Sequence, residues 1–338
     1  MWEAAAGAPI LRAKSPGFAL VEGETVVTGA SAREALRLSP KRVSSRYWSQ
    51  LDTVPLPRPF PDDLSHADLA HAQLAALWDD AARAGGGMGE VLLAVPASFA
   101  ADQLALLLGI ARACGMPVSG LVDAALAAAT QAGTSGVEEG RSLRGRLLHV
   151  DLELHRAVLT ELTVQGGNLI RTGAEVIAGV GLQQLHDAWL RHVAGQFVRR
   201  TRFDPLHAAA SEQDLDRRLV RALGELAGQE TVTLSAEAGG RTVNIELQRA
   251  ELATAVEDDT RALAAAVARW TGGATVTLLL SHRLACLPGL AAPLAAAASG
   301  SHAPLPAEAA GRGVLAAADC IRHAGEALPL VTRLPVSP

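Results

Sequence analysis

Four polar residues alternate with apolar ones where the chain reads HVDLELHR, from residue 149 to residue 156. If this stretch is a β-strand, its period of two places His149, Asp151, Glu153 and His155 on one face. Imidazoles and carboxylates bind divalent metals, but alternate strand residues lie about 6.6–7 Å apart, so at most two neighbours could share an ion. We therefore assign no metal site and interpret the stretch as the polar edge of a cleft, with Asp151 as its first candidate residue.

A second polar cluster, Ser281-His282-Arg283, follows the apolar run TVTLLL. A serine beside a histidine suggests nucleophilic chemistry. However, adjacent residues rarely point toward each other, and no G-x-S-x-G turn surrounds Ser281. We predict that Ser281 and Arg283 line a loop, and we assign no catalytic residue.

The composition excludes several classes of protein. The 338 residues are 49% hydrophobic and 19% charged, which suits two domains with substantial cores. The net charge is −5 and no stretch concentrates basic residues, so a nucleic-acid partner is not expected. Lysine occurs only at Lys14 and Lys41, and no G-x-x-x-x-G-K-[ST] stretch is present, which excludes a Walker-type NTPase.

The cysteines and the apolar segments indicate a cytoplasmic protein without a membrane partner. Cys114, Cys286 and Cys320 are odd in number and far apart, which argues against a disulfide framework. The N-terminal residues do not read as a signal peptide. The alanine-rich stretch 284–298 is interrupted by proline and glycine and makes a poor membrane span.

The elements that must position these residues read as alternating strands and helices, the pattern of an α/β fold. Ser65 should cap a helix, and Ser211 should cap another, with Asp214 in the capping-box position. Residues 134–145 are polar and should form a surface turn. The other predicted strands lie at 17–29 (a hairpin), 90–96, 118–123, 146–152, 156–164, 168–177, 231–235, 241–247 and 275–280. The other predicted helices lie at 31–38, 101–115, 124–133, 182–197, 249–270 and 306–321.

The order of these pieces resembles the nucleotide-binding domain of the seventy-kilodalton heat-shock chaperones, in the actin-like ATPase superfamily. The stretches that carry the resemblance are ALVEGETVVTGASAREALRLSP, LLAVPASFAADQLALLLGIARACGMPVSGLVDAALAAATQAG, HVDL, FDPLHAAASEQDLDRRL, LQRAELATAVED and EAAGRGVLAAA. The resemblance implies a two-lobed actin-like (ribonuclease H-like) ATPase fold of α/β class, each lobe a mixed sheet flanked by helices. Lobe I would hold residues 1–148, with the C-terminal helix 306–338 returning to it, and lobe II residues 149–305.

The motifs that bind phosphate in that family depart from its pattern here. The family's second phosphate loop reads D-x-G-G-G-T. Asp151 matches the aspartate, but the residues Glu153, Leu154, His155 and Arg156 stand where the glycines and threonine would be. Glycines let backbone N–H groups approach a phosphate closely, and side chains would crowd that concavity.

Three further positions of the nucleotide cleft are also altered. Asp123 stands for the glutamate of the connecting N-E-P motif, and the adenosine loop appears as LLLSHRLACLP, without its glycines but with Arg283. Counting from the family's N-P pair places Trp48 where the catalytic lysine would be, and an indole cannot supply the ammonium. The resemblance therefore implies Asp151, Glu153, His155, Asp123, Ser281, Arg283 and Trp48 as residues of a nucleotide-type cleft.

The loss of several phosphate-binding elements together predicts a pseudo-ATPase that acts as an interaction or scaffold protein. The alternative is an atypical ATP- or ADP-binding protein with weak or no hydrolysis. A repurposed phosphotransferase would need a replacement for the lysine. We expect no cofactor, with ATP and magnesium as the alternative. The expected partner is an unidentified protein, and relatives of this fold sometimes oligomerise.

Overall fold

The computed structural model describes residues 1–4, 9–85, 89–132, 145–325 and 327–336. The surface turn predicted for 134–145 lies outside the described residues, except for Gly145. Over the described residues the chain folds as a mixed α/β protein, as the sequence predicts.

The largest sheet has six strands and includes the HVDL stretch. Three of them form an antiparallel meander: β8 (Arg146–Leu152), β9 (Arg156–Gln165) and β10 (Asn168–Ala178). Two further strands, β13 (Thr277–Leu280) and β14 (His302–Pro304), pair in parallel beyond β8. A sixth strand, β16 (Arg333–Pro335), pairs antiparallel with β10. Strand β8 belongs to this sheet from Arg146 onward, so the sheet already includes the last residues of the predicted lobe I.

Helices cover one face of this sheet and enclose its core. They are α5 (Leu182–Thr201), α6 (Ala209–Glu225), α7 (Arg249–Ala255), α8 (Glu257–Thr271), α9 (His282–Cys286) and α10 (Ala291–Ala297). Leu185, Trp189, Val193 and Phe197 recur every four residues along α5, and each is fully buried. This apolar stripe packs on the sheet, as the helical periodicity predicts.

Two predicted helix boundaries are wrong. The helix predicted over 249–270 divides at Val256, whose backbone (φ −119°, ψ 18°) is not helical. Helix α6 begins at Ala209, so Ser211 lies inside its first turn and does not cap it. The Ser211 hydroxyl donates to the preceding Pro205 and Ala208 carbonyls, a local bond that competes with capping.

The N-terminal half holds two three-stranded sheets in place of the single mixed sheet predicted for lobe I. One is antiparallel and contains β3 (Ala19–Glu22), β4 (Thr25–Thr28) and β5 (Val43–Ser44). The other is parallel and contains β6 (Val91–Val95), β7 (Val118–Asp123) and β15 (Leu330–Val331). The helices of this half are α1 (Ala30–Glu34), α2 (His66–Arg83), α3 (Ala101–Ala113) and α4 (Ala124–Ala129).

The start of α2 is fixed by the cap that the sequence predicts. The Ser65 hydroxyl accepts from the Asp68 N–H, and the Asp68 carboxylate accepts from the Ser65 N–H at 2.8 Å. This reciprocal pair satisfies two N–H groups at the helix terminus.

The C-terminal segment contacts both halves of the chain. Helices α11 (Ala309–Ala316) and α12 (Ala318–Ile321) come first, and α11 packs against α4. At Gly313 a Cβ atom would lie 1.9 Å from the Ala127 carbonyl oxygen, so only glycine allows the two helices to approach this closely. Strand β15 then joins β7, and β16 joins β10. The prediction of a C-terminal helix over 306–338 is therefore wrong: its described residues form two short helices and two strands, and the last strand extends the six-stranded sheet.

The remaining elements are short. Strands β1 (Trp2–Glu3) and β2 (Ile10–Leu11) form a small ribbon, and β11 (Thr231–Ala238) and β12 (Arg241–Gln248) form a hairpin. Among the helices of the described residues, none combines the length and the apolar character needed to cross a membrane.

Candidate functional site

A cleft of about 370 Å³ lies where the six-stranded sheet meets the N-terminal half. Its floor is the face of β8 and β9, and its walls are α4, α11 and the loop before α9. Of the seven predicted site residues, four line this cleft: Asp151, Glu153, Ser281 and Arg283. The other lining residues include Lys14, Pro96, Ala97, Ala124, Ala125, Ala128, His149, Val158, Thr160, His282, Leu305, Pro306, Ala307, Ala309 and Ala310.

His149 and Asp151 point from β8 into the cleft, as strand parity predicts. His149 pairs across the sheet with Thr160, and Asp151 pairs with Val158. Burial lowers the pKa of His149, although the nearby carboxylate of Asp151 opposes the shift. The imidazole is therefore neutral at physiological pH. Asp151 is only partly buried, and its Oδ1 accepts from the N–H of Leu152 at 2.8 Å.

Beyond β8 the chain reverses in a tight turn, residues 153–156, where the family's glycines would stand. The Glu153 N–H donates to the Arg156 carbonyl at 2.9 Å and closes the turn. The Glu153 carboxylate accepts from Arg156 Nε at 2.5 Å and from the Ser98 hydroxyl at 2.9 Å. Its charge is thus paired within the protein and does not project freely into the cleft.

The backbone of this turn is used by the protein itself. The carbonyls of Glu153 and Leu154 accept from the first N–H groups of α5, Leu182 at 2.9 Å and Gln183 at 2.8 Å. Among the described residues other than glycine, only Arg202 has a positive φ, so the turn contains no left-handed residue. Phosphate-binding concavities are built from successive N–H groups in alternating right- and left-handed backbone. The turn therefore lacks the left-handed residue that this kind of concavity requires.

The prediction that His155 shares the polar face of the strand is wrong. Strand β8 ends at Leu152, and the turn points His155 toward the N-terminal half. His155 Nε2 lies 3.0 Å from both the Ser45 carbonyl and the Ser45 hydroxyl, and because a carbonyl only accepts, Nε2 carries the hydrogen. Burial, together with the charge of Arg46, lowers the pKa of His155 to about 4.

Ser281 and Arg283 lie on the loop between β13 and α9, as predicted. Arg283 Nη1 donates to the Leu152 carbonyl at 2.7 Å, which ties this loop to the end of β8. The Ser281 N–H donates to the Val150 carbonyl at 3.0 Å, while its hydroxyl is buried without a hydrogen-bond partner. No base lies within hydrogen-bond distance of that hydroxyl among the described residues, so it has no activating partner.

Asp123 is placed outside the cleft, contrary to its selection as a cleft residue. It is fully buried and caps α4, accepting from the Leu126 N–H at 3.0 Å. Its second oxygen accepts from Arg171 Nη1 at 2.8 Å. Both carboxylate oxygens have partners within the protein, so Asp123 joins α4 to the six-stranded sheet.

Trp48 does not line the cleft either. Its indole N–H donates to Gln73 Oε1 at 2.6 Å. Gln73 is buried, and the same Oε1 accepts from the Tyr47 hydroxyl at 2.6 Å. Its amide nitrogen donates to the Ser15 hydroxyl at 2.8 Å and to the Pro16 carbonyl at 2.7 Å. This network fixes the segment that precedes β3.

Lys14 is a cleft residue that the sequence reasoning missed. It is exposed, lines the same cleft as Asp151 and is adjacent in sequence to the segment held by Gln73. The family's motif would place a lysine at position 48, whereas the lysine that lines the cleft is at position 14. The scarcity of lysine, with only two in the chain, was the available signal.

An ion cluster centred on the buried Asp216 joins the two halves. Arg37 Nη2 lies 2.5 Å from Asp187 and 3.1 Å from Asp216, and Asp216 also contacts His186 at 3.0 Å. Burial alone would raise the pKa of Asp216, but its pairing with His186 and Arg37 holds that pKa below its ordinary value. Arg33 adds a contact at 3.5 Å.

The acidic and imidazole groups of the described residues form no cluster of three or more that could hold a metal ion. Comparison with known proteins adds no identification, because no protein-family model matches the chain and no curated protein matches it either.

Proposed function

We propose that this chain is a two-lobed protein of the actin-like ATPase fold that has lost catalysis and acts by binding a protein partner. The closed turn at residues 153–156 is the observation that carries the proposal. In the resembled family this is where a phosphate contacts free backbone N–H groups. Here the carboxylate, the imidazole and the carbonyls of the turn bind Ser98, Ser45 and α5 instead.

The architecture supports the fold part of the proposal. The six-stranded sheet is mixed and flanked by helices, and the cleft lies between it and the N-terminal half. The sequential resemblance covers both halves. The division of the N-terminal strands into two small sheets is a departure from the expected lobe I.

The electrostatics of the cleft support the loss of phosphoryl transfer. Such catalysis depends on positioned charges and metal ions that stabilise the transferring phosphoryl group. The cleft offers the exposed Lys14 and Arg283 against the carboxylate of Asp151, with Glu153 already paired to Arg156. A triphosphate would meet no concentration of positive charge and no amide concavity at the turn.

The first experiment is an ATPase assay on the purified chain with magnesium. We expect no turnover above the buffer blank. Phosphate release that the Asp151→Asn variant abolishes would overturn the proposal, because only a working site in this cleft would depend on that carboxylate. Asp258→Asn, an exposed aspartate with a side chain 94% accessible, is the matched control.

The second candidate is a nucleotide-binding protein without turnover. The open cleft lined by both Lys14 and Asp151 favours it, since the Lys14 ammonium can contact a phosphate oxygen. Calorimetric titration with ATP and with ADP separates the two candidates. Saturable binding at micromolar nucleotide that weakens in Lys14→Ala would support the second.

The proposal includes a cytoplasmic location and a protein partner. All three cysteines are free, which agrees with a reducing compartment. Without a catalytic group the chain must act through contacts, either with another protein or with a second copy of itself. Light scattering after gel filtration measures the molar mass in solution and so detects association with a second copy.

A further inference from the structure

The floor of the cleft carries two polar side chains that the protein does not satisfy. His149 is 6% exposed and Thr160 is 1% exposed, and both line the cleft. They face each other directly across β8 and β9. Neither side chain hydrogen-bonds to any other described residue. Their polar atoms open onto the cleft, so a molecule bound there can hydrogen-bond to both.

The chemistry of this pair defines one end of that molecule. His149 is kept neutral by burial, so its ring offers one donor and one acceptor. The Thr160 hydroxyl also both donates and accepts. A group that has a donor and an acceptor of its own, such as an amide or a hydroxyl, satisfies both residues.

The mouth of the cleft defines the other end. Lys14 forms no ion pair with the described residues, and Arg283 uses one N–H for the Leu152 carbonyl. Both cations can therefore bind a carboxylate. Asp151 accepts only its neighbour's N–H and can bind an ammonium. Glu153 does not compete, because Arg156 and Ser98 occupy it.

The size of the cleft limits the molecule that can fill it. The volume of about 370 Å³ lies near the lower end of small-molecule sites, which span roughly 300–1,000 Å³. Methyl groups of α4 and α11 form its walls and can contact the apolar part of the molecule. The wall residues are Ala124, Ala125, Ala128, Ala309 and Ala310.

We propose that this cleft binds a free α-amino acid with an uncharged polar side chain. The carboxylate contacts Lys14 and Arg283, the ammonium contacts Asp151, and the side-chain amide or hydroxyl contacts His149 and Thr160. This site is independent of the proposed loss of ATPase activity.

The test is calorimetric titration of the full chain with L-glutamine, L-asparagine and L-serine. We expect saturable binding of at least one of them, in the millimolar range or tighter. Thr160→Val keeps the shape of the side chain and removes its hydroxyl, and Asp151→Asn removes the charge that binds the ammonium. Each should weaken binding about tenfold, the loss typical of one hydrogen bond or charge contact.

Matched controls are Thr242→Val and Asp258→Asn, both on exposed positions away from the cleft. Absence of binding for all three amino acids overturns the inference. So does binding that neither cleft variant weakens, or binding of acetate and ethylamine as tight as that of L-glutamine. If Thr160→Val fails to fold, the partly exposed Asp151→Asn still decides the outcome.

A parallel titration with ATP and magnesium separates this inference from the proposed function. If ATP binds and competes with L-glutamine, the amino-acid site stands and the second candidate function, nucleotide binding without turnover, is supported. If ATP binds and no amino acid does, the amino-acid site is refuted.

Discussion

Gly181, which precedes α5, is the position where the closed turn can be tested most directly. Its φ of −145° and ψ of 171° are extended backbone that any residue adopts. A Cβ atom there would lie 2.4 Å from the backbone nitrogen of Arg156 and 2.4 Å from the carbonyl carbon of His155. Both are backbone atoms, so no side-chain rotation relieves the clash in Gly181→Ala. The turn must move away from α5.

The expected cost follows from these contacts. Overpacking of a well-packed site costs about 1–3 kcal/mol. Moving the turn also weakens the bonds from the Leu182 and Gln183 N–H groups, each of which contributes about 0.5–1.5 kcal/mol. We expect Gly181→Ala to lower the free energy of unfolding by about 2–4 kcal/mol.

Urea denaturation followed by tryptophan fluorescence measures this change. Gly224→Ala, inside α6, is the matched control, because nothing lies within 4 Å of its added Cβ and its φ is not positive. Alanine is the better helix former, so Gly224→Ala should raise stability by about 0.5–1 kcal/mol. A Gly181→Ala variant as stable as the wild type would show that the turn does not pack on Gly181, and the account of the closed turn would fail.

Three further predictions concern two contacts between the halves and one network within the N-terminal half. Asp216→Asn removes the buried carboxylate that pairs with the half-buried Arg37, so the free energy of unfolding should fall by about 3 kcal/mol in urea titrations. Gln73→Leu removes four hydrogen bonds around Trp48 and the segment before β3, and should cost about 3 kcal/mol by the same measurement, with equal stability refuting the network. Folding lowers the pKa of His155 from 6.5 to about 4, so below pH 6.5 the unfolded chain binds a proton more readily than the folded chain. The contribution of His155 to the free energy of unfolding is therefore fully present above pH 6.5 and is lost as the pH falls toward 4. The loss is about 1–2 kcal/mol after solvent screening, and His155→Gln should flatten part of the pH dependence of the melting temperature over that interval, whereas an unchanged slope would contradict it.

Local patterns predicted most elements correctly because the interactions that define them are local. The Ser65–Asp68 cap needs only four residues, and the α5 stripe needs only helical periodicity. The failures have competing local causes. At Ser211 the hydroxyl bonds backward to two carbonyls, and at Val256 a non-helical backbone divides a segment with helical periodicity throughout.

The candidate site could be predicted only in part, because its residues come from distant parts of the chain. Asp151 is separated from Lys14 by more than a hundred residues and from Arg283 by about as many, and no periodicity connects them. Asp123 illustrates a different limit. A buried aspartate at the end of a strand has the same sequence signature whether it contacts a ligand or caps a helix, and here Arg171 and the Leu126 N–H identify the second role.

Under the proposed function, the side chains at residues 153–156, where the resembled family has glycines, account for more than the loss of a phosphate site. Glycines would leave free N–H groups and no contacts across the cleft. Glu153, His155 and Arg156 instead reach Ser98, Ser45 and the Ser49 carbonyl, all in the N-terminal half. The same substitutions therefore close the turn and bind the halves together. Under the proposed function this is consistent, because a protein that no longer cycles nucleotide gains stability from a fixed interlobe contact and has no need to release it.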